Sequence, residues 1–120
     1  MTDDKSPPAM GFIITKGPAE SGLAGGLLKV AKGASADGST VGIFLISDGV
    51  WLAKRGQKNG AHEAFVELLG KGAQVTVSQE HLNGAGIGDG ELVDGLEVTK
   101  KTYKDLVDHV MERWDRVVVV

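Results

Sequence analysis

The sequence predicts an α/β fold: a three-layer α/β/α sandwich with a mostly parallel five-stranded sheet. Apolar, β-branched runs of strand length alternate with segments in which apolar residues recur at helical spacing. Such alternation is typical of right-handed βαβ crossovers, which cover a parallel sheet with helices. Residues 1–9 are polar and contain two prolines, so we expect a flexible leader there and a single domain over 10–120.

Each predicted element follows from periodicity and from the residues that interrupt it. In chain order we expect strand Met10–Thr15, a helix from Ser21 to before Gly38, strand Thr40–Ser47, a helical turn Val50–Ala53, a helix Ala61–Leu69, strand Ala73–Val77, a helical segment Gln79–Asn83, strand Leu96–Val98, a helix with Thr99 as N-cap, and strand Arg116–Val120. The last helix carries the clearest apolar stripe, from Tyr103 to Trp114.

Composition narrows the classes of function. The formal net charge is −3 and the basic residues are scattered, so nucleic acid is not an expected partner. No apolar run approaches the ~20 residues that span a bilayer, and no signal-peptide pattern is present, so we expect a cytoplasmic protein with no membrane partner. The chain has no cysteine, which excludes disulfides and thiol chemistry. The three histidines are separated in the sequence, and we assign no metal and no cofactor.

Candidate binding residues lie at the carboxyl ends of the predicted strands. In an open parallel sheet, ligands usually bind in the crevice beyond these ends, and the connections that follow strands one, two and three could meet there. The candidates are Gly17, Pro18, Ser21, Asp48, Gly49, Ser78 and His81.

Two glycine-rich segments do not match nucleotide-binding fingerprints. Gly17–Gly22 lacks the lysine and hydroxyl pair of a P-loop, which favours a structural turn. The segment 84–90 does not directly follow a strand, and Asp89 stands where the last fingerprint glycine would be. We interpret this segment as a flexible loop, either a lid over a neighbouring site or a connector.

Ser78, His81 and Asp48 are the residue types of a nucleophilic triad. No G-x-S-x-G elbow surrounds Ser78, and no spacing indicates that the three side chains converge. The alternative is that Ser78 caps the helical segment Gln79–Asn83 and that His81 is an exposed histidine of its first turn. We therefore assign no catalytic residue, while a serine hydrolase stays open as a minor hypothesis.

Over most of Met10–Val120 the chain resembles the DsrE/DsrF-like sulfur-relay family. The resemblance is carried by four segments in order: Phe44–Val50 (FLISDGV), Leu68–Val75 (LLGKGAQV), Leu82–Ile87 (LNGAGI) and Glu91–Val98 (ELVDGLEV). It implies a cysteine just after the third strand, whose thiolate carries persulfide. Ser78 occupies that position here, and Ala85 replaces an arginine often seen in the following loop.

The resemblance also implies oligomers and partner proteins of sulfur relay. Val50, Trp51 and Leu52 form an apolar stretch that would suit an interface if exposed, or would cap the domain's own core. We expect a non-catalytic binding or scaffold subunit that forms homo-oligomers and cannot carry persulfide, with a possible sulfur-relay partner protein. The alternative is a small-molecule or nucleotide-binding domain that uses the strand-end crevice.

Overall fold

A computed structural model describes residues 8–19 and 22–120. The strands are β1 (Ala9–Ile14), β2 (Thr40–Leu45), β3 (Gln74–Ser78), β4 (Glu97–Thr99) and β5 (Arg116–Val119). The α-helices are α1 (Leu23–Ala36), α2 (Gly60–Gly70), α3 (Gln79–Ala85) and α4 (Thr102–Asp108), and α4 continues as a π-helical segment, His109–Arg113. Two 3₁₀ segments span Ser47–Ala53 and Asp89–Glu91. In the described ranges, no helix combines the length and apolarity needed to cross a membrane.

The strands form one sheet in the order β4-β3-β2-β1-β5, and every neighbouring pair is parallel. The predicted α/β class with a five-stranded parallel sheet is confirmed. β1 to β4 follow one another across the sheet, whereas the chain after β4 returns past three strands to place β5 beside β1. Residues 1–7 of the predicted leader lie outside the described residues, and Ala9 belongs to β1 instead.

One face of the sheet holds the main core. α1 contacts β1, β2 and α2, and the inward side chains of the central strands join those of both helices in one buried cluster. Its largest fully buried members are aromatic or branched aliphatic, as expected for strands covered by helices. They include Phe12, Ile14, Leu28, Ile43, Leu45, Phe65 and Leu68.

The opposite face is covered by α4 and the π-helical segment. Phe44 and the ring of His109 meet edge to face, with their centroids 5.5 Å apart. Trp114 lies over two paired strand glycines, because a Cβ on Gly11 would come 1.9 Å from its ring and one on Gly42 would come 2.4 Å from it. Glycine in these strands therefore provides the room that the indole needs.

Three local predictions are wrong. β2 ends at Leu45, and the residues from Ser47 begin a 3₁₀ segment that is longer than the single turn expected. Gly84 and Ala85 belong to α3, and Ile87 is buried in the core, so the 84–90 segment is not one flexible loop. Thr99 is the last residue of β4 and not an N-cap, since α4 begins at Thr102.

Thr99 still influences where α4 starts. Its hydroxyl accepts the N–H of Lys101 at 3.0 Å and donates to a carboxylate oxygen of Asp105, one turn into the helix. These contacts fasten the end of β4 to the first turn of α4.

Candidate functional site

The connections after β2 and β3 meet at the carboxyl edge of the sheet. The backbone N–H of Ser47 donates to Nδ1 of His81 at 2.7 Å, joining the start of the 3₁₀ segment to α3. Ser47 has φ of 53°, a left-handed conformation that is uncommon outside glycine. This conformation accompanies the sharp change of direction between Ile46 and Asp48, where an extended residue gives way to a 3₁₀ turn.

The imidazole of His81 is held through both ring nitrogens. Because Nδ1 accepts the Ser47 N–H, the neutral ring carries its proton on Nε2, which lies 3.3 Å from the hydroxyl oxygen of Tyr103. The two rings also meet edge to face with centroids 6.1 Å apart. With its oxygen accepting from His81, the Tyr103 hydroxyl can donate its own proton to a bound molecule.

These residues border an open cleft of about 710 Å³. Its lining comprises Ile46, Ser47, Asp48, Trp51, Glu80, His81, Gly84, Ala85 and Tyr103. Trp51 and Tyr103 offer substantial aromatic surface, with exposed fractions of 37% and 58%. Polar and aromatic groups therefore converge on a space large enough for a small molecule.

A second depression adjoins the first. It has a volume of about 380 Å³ and is bordered by Gly17, Pro18, Ala19, Asp48, Trp51 and Gln57. Because Asp48 and Trp51 border both spaces, the connections after β1, β2 and β3 share one edge, as parallel strands require. Ser21, the remaining candidate from the first connection, lies outside the described residues.

Gly49 contributes no surface to the cleft. It is buried, and a Cβ at this position would lie 2.0 Å from the carbonyl oxygen of Ile14. The glycine thus allows the 3₁₀ segment to approach the end of β1 closely.

Ser78 is enclosed, with no exposed surface. Its Oγ lies 2.6 Å from Oγ1 of Thr102 and accepts the N–H of His81 at 3.2 Å. The interpretation of Ser78 as the N-cap of the following helix is confirmed. The His81 ring is engaged with Ser47 and Tyr103 instead, so the Ser78, His81 and Asp48 triad is not assembled.

Of the two interpretations of Val50–Leu52, packing against the domain's own core holds for Val50 and Leu52. Both have no accessible surface, because the 3₁₀ segment turns them into the main core, and only Trp51 faces outward. Within this apolar run, Val50 and Leu52 are therefore buried, and Trp51 between them is exposed.

Six residues that line the cleft are not among the named site candidates: Ile46, Ser47, Glu80, Gly84, Ala85 and Tyr103. Tyr103 belongs to the predicted apolar stripe of the last helix, yet it is exposed, and so are Val107 and Met111 on the same helix face. Ser47 and Glu80 lie in the strand-end connections from which the candidates were taken, so position at a strand end is the signal that indicates them. No group of three or more histidine, aspartate or glutamate residues in the described ranges is arranged to hold a metal ion.

Comparison with known proteins identifies relatives along nearly the whole domain. Residues 9–120 match the DsrE/DsrF-like family. Uncharacterized proteins of Methanopyrus kandleri and Methanocaldococcus jannaschii are each 33% identical over 104 residues, which is 83% of this chain and 84% and 90% of theirs.

Solved structures have the same fold. A protein of unknown function from Methanobacterium thermoautotrophicum superposes with a TM-score of 0.79 at 18% identity, covering 94% of this chain and 99% of its own. The ychN protein from E. coli superposes with a TM-score of 0.82 at 24% identity, with the same coverage of 94% and 99%. The chain therefore belongs to the DsrE/DsrF-like family.

Proposed function

We propose that this protein is a non-catalytic binding subunit related to intracellular sulfur relay, which forms homo-oligomers in the cytoplasm and binds a small molecule in the strand-end cleft. Membership of the DsrE/DsrF-like family, whose resemblance implies sulfur relay, supports this link. The observation that carries the proposal is the state of Ser78, at the position where the resemblance places the sulfur-carrying cysteine.

Ser78 can neither form a persulfide nor present its hydroxyl to a substrate. Its oxygen is enclosed and makes hydrogen bonds to Thr102 and His81. A serine nucleophile needs a base that can take its proton, and the ring of His81 is turned toward Ser47 and Tyr103. These contacts support a structural role for Ser78 and a binding role for the open cleft beside it.

An exposed apolar stripe supports the oligomer. Tyr103, Val107 and Met111 follow one another at four-residue spacing along α4 and its π-helical continuation, with exposed fractions of 58%, 56% and 76%. Neighbouring apolar side chains that protrude from one helix face are typical of a surface that another chain covers.

The binding role is tested by ¹H–¹⁵N NMR of the ¹⁵N-labelled chain against neutral, anionic and cationic metabolites. We expect at least one compound to shift the resonances of Ser47, His81 and the Trp51 indole together. Tyr103→Phe, which keeps the ring and removes the hydroxyl, should weaken that response, whereas Tyr103→Ala should weaken it further. A panel that leaves all cleft resonances in place would contradict a small-molecule role.

A partner protein of sulfur relay is a second candidate for what this subunit binds, favoured by the exposed helix stripe. Pull-down with the tagged chain, followed by mass spectrometry, should recover such a partner. Variants altered at Val107 and Met111 should lose it, while cleft variants retain it.

A further inference from the structure

The strand-end cleft carries negative charge and no opposing cation. Asp48 and Glu80 border it with exposed carboxylates, and its lining, all within the described ranges, includes no lysine or arginine. We propose that the cleft binds a small organic cation, an amine or quaternary ammonium compound. This inference rests on the proposed binding role of the cleft and names the ligand class for it.

His81 does not offset the carboxylates in the observed arrangement. Its Nδ1 accepts a backbone N–H at 2.7 Å, and a proton on that nitrogen would face the hydrogen of Ser47. The observed contacts therefore require the neutral ring. The cleft keeps the formal charge of its two carboxylates.

Three backbone N–H groups at the cleft already donate hydrogen bonds within the protein. Helix starts can bind anions through unpaired N–H groups, but here the N–H of Ser47 is used by His81 and that of His81 by Ser78. The N–H of Gly49 donates to the carbonyl of Ile46 at 2.9 Å. These three donors, which could otherwise favour phosphate, sulfate or carboxylate, are thus already satisfied.

Two aromatic side chains complete the chemistry that recognises an organic cation. The faces of tryptophan and tyrosine attract cations through their quadrupoles, and carboxylates nearby strengthen that attraction. Trp51 and Tyr103 border the same cleft and are both exposed. A neutral ligand of the same shape would gain apolar contact but lose both electrostatic contributions.

The test uses choline, its neutral carbon analogue in which a quaternary carbon replaces the nitrogen, and inorganic phosphate. Binding is followed by NMR titration of Ser47, His81 and the Trp51 indole at low ionic strength. We expect choline to bind at least about threefold more tightly than its neutral analogue. Phosphate should leave the cleft resonances unchanged, and added salt should weaken choline binding.

Charge variants separate local recognition from overall charge. The double variant Asp48→Asn with Glu80→Gln should weaken choline binding by about threefold to tenfold. Asp89→Asn with Glu112→Gln removes the same charge at exposed positions away from the cleft and should have little effect. Trp51→Leu should weaken binding by about threefold or more, and Trp51→Phe, which keeps a ring, should retain most of it.

The outcomes distinguish this inference from the proposed function. Equal binding of choline and its neutral analogue, or equal loss in the two charge variants, would overturn the cation inference. Phosphate that shifts the cleft resonances while choline does not would overturn it too, and would leave the cleft as a binding site. Cleft resonances that respond to none of the three probes or to the metabolite panel would overturn both.

Discussion

At the residue scale, Ser78 connects the end of β3 to two helices. The side chain caps α3 and, through Thr102, touches the first residue of α4. A serine here joins two helices to the end of β3, a structural task that does not require reactivity. The DsrE/DsrF-like architecture of this edge is thus fastened by a side chain that has no thiol.

Because the chain has no cysteine, Ser78→Cys creates a protein with a single thiol. We expect the new thiol to react with a bulky aromatic disulfide reagent at least about tenfold more slowly than the thiol of Ser47→Cys, because access to position 78 requires local opening. The two rates, followed by absorbance, should converge in denaturant. Equal rates in the native state would show that position 78 is accessible.

Substitutions at Ser47 measure the free-energy cost of its left-handed backbone conformation at the cleft. Ser47→Gly should change the free energy of unfolding by less than about 1 kcal/mol, since relief of the unfavourable φ is offset by greater freedom in the unfolded chain. Ser47→Val should lower it by about 1–2 kcal/mol, because a β-branched residue tolerates this conformation poorly. Urea unfolding measures both, and a neutral valine variant would argue against the turn.

At the scale of elements, the contact between Trp114 and the glycines of β1 and β2 fixes how the π-helical end lies on the sheet. Gly11→Ala would place a methyl group within the ring of Trp114, and we expect a loss of about 1–3 kcal/mol in the free energy of unfolding. In the double variant with Trp114→Ala, the loss should be smaller than the sum of the single losses by about 1 kcal/mol or more.

Gly33→Ala provides the matched control for this cycle. Gly33 lies in α1, and a Cβ there would meet nothing within 4 Å, so the substitution should stabilise the protein by up to about 1 kcal/mol. Its effect should add to that of Trp114→Ala, because the two sites share no contact. Additive behaviour of Gly11→Ala and Trp114→Ala would instead place the indole elsewhere.

An ion pair between α1 and α2 gives stability a defined pH dependence. The Nζ of Lys32 lies 2.8 Å from a carboxylate oxygen of Glu67, and its hydrogen bond and charge, with help from Lys71, lower the pKa of that carboxyl below its ordinary value of 4.5. Because the pKa of Glu67 is lower in the folded than in the unfolded chain, its ionised carboxylate stabilises the fold above pH 4.5. This stabilisation is lost as the pH falls through the folded-state pKa.

Glu67→Gln should therefore lower the melting temperature at neutral pH, and its difference from the natural chain should shrink in acid below about pH 4.5. The difference should be small and should shrink in high salt, because the pair is exposed. Glu63→Gln, on the same helix, is the control, since no ion pair involving Glu63 occurs among the described residues. An unchanged difference at low pH would contradict the pairing.

Sequence patterns predicted the strands and helices because apolar residues at strand or helix spacing mark the faces that are buried in the fold. They failed where a contact distant in the chain decides the local structure. Thr99 has a side chain suited to capping, but it belongs to β4, where it pairs with Ser78 of β3. The helix α4 therefore begins only at Thr102. The meeting of strand ends was predicted from parallel topology, whereas the link from Ser47 to His81 uses a backbone N–H that no side-chain motif reveals.

At the scale of the whole molecule, the two faces of the sheet are covered to different extents. The main core is closed by α1 and α2, while the opposite face is covered by the short α4 and its π-helical continuation, with Tyr103, Val107 and Met111 outward. The edge strand β5 lies on the other side of β1, and its Val119 is 61% exposed. These features concentrate exposed apolar area on the later part of the chain.

We expect assembly to depend on this later part. The natural chain should elute with a mass that is a multiple of 12.5 kDa by size-exclusion chromatography with light scattering, and Val107→Lys with Met111→Lys should shift it toward 12.5 kDa. Both residues are exposed in the single chain, so the variant should keep its fold by circular dichroism. Val30→Lys, at a valine of similar exposure on α1, should leave the mass unchanged. A natural chain that is monomeric at all concentrations would remove the oligomer from the proposed function while leaving the cleft to be judged by its own ligands.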